Sequence, residues 1–362
     1  MTRLPDFPWD SLAGVKARAQ QHPGGLVDLS IGTPVDPVPD SIRAALASVS
    51  DLPGYPATHG TPELRTTAVE ALGRRYGVTG VEPDAVLPTI GSKEAVAWLP
   101  RLLGLGPGDT VVIPELAYPT YEVGALLAGA EMLRADGLTQ LGPRRPALFW
   151  LNSPSNPTGR VLGVEHLRKV VEWARERGTI VVSDECYLSL GWEAEPVSVL
   201  HPSVHGGQTD GLLAVHSLSK SANLAGYRAG FVTGDPKLVK RLLDMRKHAG
   251  MIVPRPVQQA MVTALTDDEA LALQRERYRR RRLVLRKALQ DSGFEISHSE
   301  AGLYLWASRG EPSLSTVDWL ADRGILVAPG TFYGPSGGSH VRVGLTATDE
   351  RIDAAAERLS AS

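Results

Sequence analysis

The chain has 362 residues, 43% hydrophobic and 22% charged, which is ordinary for a soluble globular protein but long for one core, so two domains are expected. Lys and Arg number 38 against 40 Asp and Glu, and the net charge of −2 argues against a nucleic-acid or membrane-surface binder. The single cysteine excludes an intrachain disulfide and fits a reducing cytoplasm, and no run of about 18 apolar residues predicts a membrane span.

The opening Met1-Thr-Arg-Leu-Pro-Asp-Phe-Pro-Trp-Asp10 lacks the apolar core of a signal peptide. The first 40 residues are rich in Pro and Gly and read as an extended arm followed by the loop Leu29-Ser-Ile-Gly32-Thr-Pro34-Val-Asp-Pro37. From about residue 41 to about 250, short apolar runs alternate with helical patterns. Strands are predicted at Ala85–Ile90, Thr110–Ile113, Ala147–Leu151, Thr179–Ser183, Leu212–His216 and Gly230–Thr233. Most of these runs are continuously apolar, as in strands covered on both faces. Helices at Glu94–Leu103 and Val164–Arg177 lie between them, so the pattern is α/β, a mainly parallel sheet between layers of helices. After Pro256 the character changes. Val257 to about Gln290 reads as one or two long helices, with the basic run Arg275–Arg286 as a solvated face. Strand-like pieces follow at Phe294–Ser297, Leu303–Ala307, Ile325–Ala328 and Val341–Leu345, with a last helix from about Glu350. The expected organisation is an N-terminal arm, residues 1–40, joining a small α+β domain, residues 251–362, with a large domain, residues 41–250, between them.

The segment richest in chemistry is Ser217-Leu-Ser-Lys220-Ser-Ala-Asn-Leu-Ala-Gly226-Tyr-Arg228, directly after the apolar run Gly211–His216. A lysine that forms a Schiff base must be held at one point in a cleft, partly desolvated so that its pKa falls. Ser217, Ser219 and Arg228 are suitable donors for a phosphate beside it. Lys220 is therefore the candidate covalent anchor for pyridoxal phosphate. Asp184 ends the apolar run Thr179–Ser183, where open α/β sheets bind ligands; an N-cap is the competing reading. Gly91-Ser92-Lys93-Glu94 follows a strand and opens a helix, a place where free backbone N–H groups suit an anion. Ser92 and Lys93 are assigned to the phosphate, against a solvated helix-start lysine as the other reading of Lys93. Asn156-Pro-Thr-Gly159 taken alone is a plain turn.

Asn156-Pro-Thr-Gly159, Ser183-Asp184-Glu185-Cys186-Tyr187 and Ser-x-Ser-Lys220 followed by Gly-x-Arg228 occur together and in order. On these motifs the chain resembles, over nearly its whole length, the fold-type I pyridoxal-phosphate aminotransferases of class I/II. The resemblance implies that Asp184 pairs with the protonated pyridine nitrogen, which keeps the ring an electron sink. It implies that Tyr187 and Asn156 donate to the ring's phenolic oxygen, that Asn156 also meets the substrate carboxylate, and that Lys220 moves the Cα proton as base and then acid. Tyr118 matches the aromatic that stacks on the ring, while Tyr121 reads as core. Arg342, in His340-Val-Arg342-Val-Gly-Leu345, matches the arginine that clamps the substrate α-carboxylate; a solvent-facing strand arginine is the other reading. Gly32 lets the backbone approach that carboxylate. Tyr55, in Tyr55-Pro-Ala-Thr-His-Gly60, matches a tyrosine that reaches the phosphate of the neighbouring subunit, which implies a homodimer.

Cys186 reads as a small buried residue rather than a nucleophile. The nine histidines show no metal-ligand spacing, so no metal is predicted, and His59 and His216 read as structural. For the substrate, the segments Arg3–Leu12 and Arg246–Pro254 resemble the succinyldiaminopimelate aminotransferases of actinobacteria. That subgroup exchanges the amino group of an N-succinylated diaminopimelate with 2-oxoglutarate or glutamate in lysine biosynthesis. Its distal carboxylates need donors, and Lys93, Arg255 and backbone amides near Ala249 and Gly250 are the candidates. Alternatives are an aspartate, alanine or aromatic aminotransferase and a carbon–sulfur lyase. A ligand-sensing module of a transcription regulator fits less well, because the chain has no basic patch and keeps Lys220, Asp184 and Arg342 together.

Overall fold

The computed structural model describes residues 4–360; Met1–Arg3, which head the N-terminal segment quoted above, lie outside the described residues. The apolar runs form a seven-stranded sheet in the order Val86–Ile90, Ala229–Gly234, Leu212–Ser217, Ile180–Asp184, Leu148–Asn152, Thr110–Ile113 and Glu131–Arg134. Ala229–Gly234 runs antiparallel to both of its neighbours and all other pairs are parallel. Alternate residues feed two cores. Val112, Phe149, Val181 and Ala214 join one, and Val111, Trp150, Val182 and Leu213 join the other. That double burial is why these strands read as unbroken apolar runs rather than as alternating ones. The edge strand Glu131–Arg134 was not predicted: Glu-Met-Leu-Arg is only partly covered and gives no apolar run.

A second unit holds a four-stranded antiparallel sheet in the order Ala328–Pro329, Val341–Gly344, Tyr304–Ser308 and Glu295–Ser297. Val27–Asp28 pairs in parallel with Ile325–Leu326, and Val27 and Leu29 share a core with Leu305, Val343 and Ile352. The first 40 residues are not simply extended. Pro8–Leu12 is a 3-10 turn that runs into the helix Ala13–Gln20, whose Arg18 pairs with Asp318 at 2.6 Å and Asp322 at 3.3 Å. Pro8 starts that turn rather than breaking it, since a proline in the first turn loses no needed N–H.

Two further expectations are corrected. The helix Arg255–Thr266 buries Ala260, Met261 and Leu265 in the large-sheet core beside Leu64 and Val86, so the boundary placed near residue 250 falls one helix early. The basic run Arg275–Arg286 is not one solvated face, because a helix turns its side chains through all directions within four residues. Arg281 is buried and pairs with Asp36 at 2.6 Å and Asp349 at 2.7 Å; Arg282 is buried against Glu193 at 2.7 Å and the Ser299 carbonyl at 2.8 Å.

Candidate active site

The carboxyl ends of the parallel strands open into a cleft of about 250 Å³, walled on its other side by Tyr304 and Arg342 of the small sheet. Gly32, Ser92, Lys93, Tyr118, Asn156, Asp184, Tyr187, Ser217, Ser219, Lys220, Arg228 and Arg342 all line it. Tyr55 does not, and its side chain is fully exposed.

Asp184 is the last residue of its strand and is 6% exposed. One carboxylate oxygen accepts from the Tyr121 hydroxyl at 2.8 Å and the other from the Cys186 N–H at 3.2 Å. Burial raises its pKa, these two bonds oppose the rise, and among the described residues no cation pairs with it. Tyr121 packs in the core as expected, stacked on Trp150 at 4.9 Å, but its bond to Asp184 also makes it a site residue that sequence reasoning missed. Its only signal is its place three residues after Tyr118, in the first turn of the helix Thr120–Ala128. Asn152 was missed too. Its amide donates to the Asp184 carbonyl at 3.0 Å and its oxygen accepts the Asn156 N–H at 2.7 Å, so it joins the strand end to the Asn156 turn.

Arg342 is 2% exposed, which removes the solvent-facing reading. One terminal nitrogen donates to Asn156 Oδ1 at 2.9 Å and the other to the Ser30 carbonyl at 2.7 Å, while Nε is buried without a partner among the described residues. Its guanidinium lies 3.8 Å above the Tyr304 ring, and among the described residues no carboxylate pairs with it. Tyr304 is another missed residue. Its hydroxyl meets that of Tyr187 at 3.2 Å, and a Cβ at Gly32 would collide with it, so glycine at 32 makes room for this phenol. Burial pushes the Tyr187 phenol well up and that of Tyr118 to about 12, so both stay protonated donors.

Lys220 is half-buried. Burial lowers its pKa; Tyr304 and Cys186 oppose this, and the positive Arg342 and Arg228 reinforce it. Arg228 holds a left-handed backbone at φ 58°, unusual for a residue with a Cβ. Gly91, also left-handed at φ 72°, sits where a Cβ would strike the Arg228 guanidinium. Ser217 Oγ accepts the Ser219 N–H at 3.2 Å, and Ser92 stands in the first turn of the helix Gly91–Leu102. At the mouth, Lys93 is exposed with its ammonium 5.1 Å from the Phe7 ring, and partial burial and Arg228 lower its pKa. Phe7, Trp9, Ile31 and Thr33 line this rim and were not singled out. Of the other distal candidates, Arg255 donates to Gln259 at 3.5 Å and Gly250 caps the helix Pro236–Ala249; neither is on the wall. Arg246 is buried in an ion pair with Glu94 at 2.7 Å. His59 contacts the Asp84 carbonyl away from the cleft. Cys186 lines the cleft, but burial pushes its thiol well up, the wrong direction for a nucleophile.

The family model of the class I and II aminotransferases matches residues 25–359. The chain belongs to this family. A protein named as a probable aminotransferase of Mycobacterium tuberculosis is 68% identical over 99% of this chain and 85% of its own length. The 4-dedimethylamino-4-oxo-anhydrotetracycline transaminase of Streptomyces rimosus is 59% identical over 99% of this chain and its full length. The solved structure titled as a probable N-succinyldiaminopimelate aminotransferase from Thermus thermophilus is 31% identical, with a TM-score of 0.88 over 98% of this chain and all of that one.

The aminotransferase therefore has the fold-type I architecture, and its cofactor is pyridoxal phosphate. The cleft fits that group. A buried carboxylate without a cation among the described residues suits a pyridinium; Arg228, which donates to the Ala225 carbonyl at 2.6 Å but has no ion pair among the described residues, stands beside a helix N-terminus and suits a phosphate; and a lysine whose pKa is lowered suits an aldehyde. Among the described residues no group of three His, Cys, Asp or Glu is placed to hold a metal ion, and no helix is long and apolar enough to cross a membrane.

Proposed function

We propose that this aminotransferase exchanges the amino group of an N-succinylated diaminopimelate with glutamate and 2-oxoglutarate. The observation that carries amino-acid chemistry is Arg342, a buried guanidinium with an unpartnered Nε and no carboxylate partner among the described residues. A substrate α-carboxylate supplies the missing charge, and the bonds to Asn156 and Ser30 keep the fork from rotating to another acceptor.

Bound pyridoxal phosphate supplies an electron sink that acidifies the Cα–H of an amino acid joined to it. The chain does the rest. Asp184 keeps the ring nitrogen protonated, and Tyr121 holds the carboxylate in place. Tyr187 and Asn156 donate to the ring oxygen, and Tyr118 covers a ring face. Ser92, Ser217, Ser219 and Arg228 hold the phosphate, with Lys93 beside them. Lys220 would anchor the cofactor, and its Nζ, whose pKa burial lowers, would take the Cα proton and deliver it to the cofactor's aldehyde-derived carbon, across the substrate nitrogen. The partner's copy of Tyr55 completes the phosphate site in a homodimer; a wholly exposed tyrosine next to the half-exposed Leu52 suits a covered surface.

Lys93 supports the succinylated substrate, because it is a cation on the rim without an ion pair among the described residues and can meet a distal carboxylate. The name of the Thermus thermophilus structure supports it too. A second reading, a bulky polycyclic ketone, is favoured by the aromatic rim of Phe7 and Trp9 and by the 59% identity to the Streptomyces rimosus transaminase. A glutamate-dependent assay separates the two. The keto form of N-succinyl-diaminopimelate is compared with an anhydrotetracycline-type ketone, oxaloacetate, pyruvate and phenylpyruvate. A kcat/KM at least about tenfold higher for the succinylated substrate, about 1.4 kcal/mol of transition-state preference, supports the first reading. A polycyclic ketone in front sustains the second, and a small keto acid in front removes both.

A further inference from the structure

On the far side of the strand ends from the cleft lies a second, small cavity of about 30 Å³. Strand alternation explains its lining. Asp184 lines the cleft alone and Ser217 lies between the two spaces, while their neighbours Glu185, just past its strand, and His216, on the adjacent strand, line only the second cavity. Glu185 Oε1 accepts the Val199 N–H at 2.7 Å, and the Ser198 and Ser183 hydroxyls lie near enough to lower the carboxyl's pKa, but among the described residues no hydrogen bond of normal geometry reaches the buried Oε2. His216 Nε2 is also buried without a hydrogen bond among the described residues, and the two atoms face each other 3.9 Å apart. His216 cannot easily turn away, since its ring stacks on Phe231 at 4.8 Å. A gap of 3.9 Å is too long for a hydrogen bond. Two buried polar atoms left unmet would cost about 1–3 kcal/mol each. The adjoining void exceeds the roughly 10–15 Å³ that one water requires.

We propose that Glu185 and His216 form a water-bridged carboxylic acid–imidazole pair, a positioning element that ties together the ends of the strands bearing Asp184 and Ser217 and thereby sets the geometry of the cofactor cup. The pair touches neither cofactor nor substrate. It acts through its chain neighbours, one under the ring nitrogen and one under the phosphate, and holds for whichever keto acid the enzyme takes.

The pair also carries charge information. Burial raises the Glu185 carboxyl to about 7 and lowers His216 to about 3, so between those two values both are mainly uncharged. The groups facing Glu185 are Asp184 and Cys186 on its own segment, His216 on the next strand, and Arg75 and Tyr76 from the helix Pro62–Tyr76, with Arg75 tied to Asp268. When Glu185 loses its proton near pH 7, a second negative charge stands beside Asp184 and strengthens the hold on a protonated ring nitrogen.

The test uses holoenzyme of wild type, Glu185→Gln, Glu185→Leu and His216→Phe. It reads the absorbance of the bound cofactor against pH and the affinity of the cofactor-free protein for pyridoxal phosphate. Glu185→Gln keeps a neutral hydrogen-bonding group, so its affinity stays within about twofold of wild type while the pH of the bound cofactor's absorbance step shifts. Glu185→Leu and His216→Phe leave one buried polar atom of the pair unmet and weaken cofactor binding by about tenfold or more. The proposal is overturned by an unshifted step in Glu185→Gln, or by wild-type affinity in both Glu185→Leu and His216→Phe. Should those two fail to fold, Glu185→Met and His216→Leu, which fill similar space without a polar atom at the gap, take their place in the affinity measurement.

Discussion

The floor of the cleft and its mouth are built in opposite ways. On the floor, Asp184, Asn156 and Arg342 are buried, and each is held by at least one other buried residue: Tyr121, Asn152 and Asn156 respectively. At the mouth, Phe7 and Ile31 are about half exposed, and Lys93 is held by a ring 5.1 Å away and by no ion pair among the described residues. Moving a floor residue leaves a buried donor or acceptor unmet, at about 1–3 kcal/mol each. Moving a rim residue costs a fraction of that, because water replaces what is lost. The fold therefore protects the chemistry of amino transfer and leaves the choice of substrate free to drift. Relatives that cover nearly the whole chain yet carry different substrate names are what such a division produces.

Substitutions on the floor should be severe and blind to substrate. Lys220→Ala removes both the anchor and the proton carrier. Turnover should fall by at least about 10³-fold for every substrate while pyridoxal phosphate remains bound after dialysis. Turnover near wild type would remove Lys220 from the mechanism. Arg342→Ala should cost about a hundredfold in kcat/KM, the value of roughly 3 kcal/mol from a charged, buried hydrogen-bonding site. Arg342→Lys should not restore it, because an ammonium cannot span Asn156 and Ser30 while also forking onto a carboxylate. A loss confined to one substrate would place Arg342 with the rim instead.

Most of the floor was legible in the sequence because it is local. Asp184, Asn156, Ser217 and Lys220 stand at or just past the ends of apolar runs, and a run that ends in a polar residue shows in one dimension. The large sheet was legible for the same reason, since burial on both faces leaves an unbroken signal. What escaped depends on distance in the chain. Tyr304 reaches Tyr187 from 117 positions away, and Tyr121 reaches Asp184 from 63. No local pattern distinguishes either from an ordinary core tyrosine. The buried Arg281 and Arg282 escaped because a run of arginines looks solvated until Asp36, Asp349 and Glu193 are placed around it.

Tyr121→Phe tests how far the rigidity of the floor depends on these hidden partners. It removes one hydroxyl and leaves the stacking on Trp150 in place. Affinity for pyridoxal phosphate should fall by about tenfold, because the lost bond went to a carboxylate and such bonds are worth about 1.5–3 kcal/mol. An unchanged affinity would mean that the Cys186 N–H alone orients Asp184.

The mouth should give the smallest effects, and the most selective ones. Lys93 is exposed, so its attraction for a distal carboxylate is screened and worth no more than about 1 kcal/mol, a three- to fivefold change in kcat/KM. Lys93→Ala should produce that loss for an N-succinylated substrate and none for pyruvate, whose single carboxylate is spent on Arg342. Phe7→Ala should do the reverse, weakening a polycyclic ketone by a similar factor through lost ring contact and leaving the succinylated substrate nearly unchanged. Measured together at two salt concentrations, the pair is decisive. The Lys93 effect should shrink as salt rises and the Phe7 effect should not, because only the first is an interaction between charges in water. If both variants lose activity equally on all substrates, the rim belongs with the floor and the division drawn between them fails.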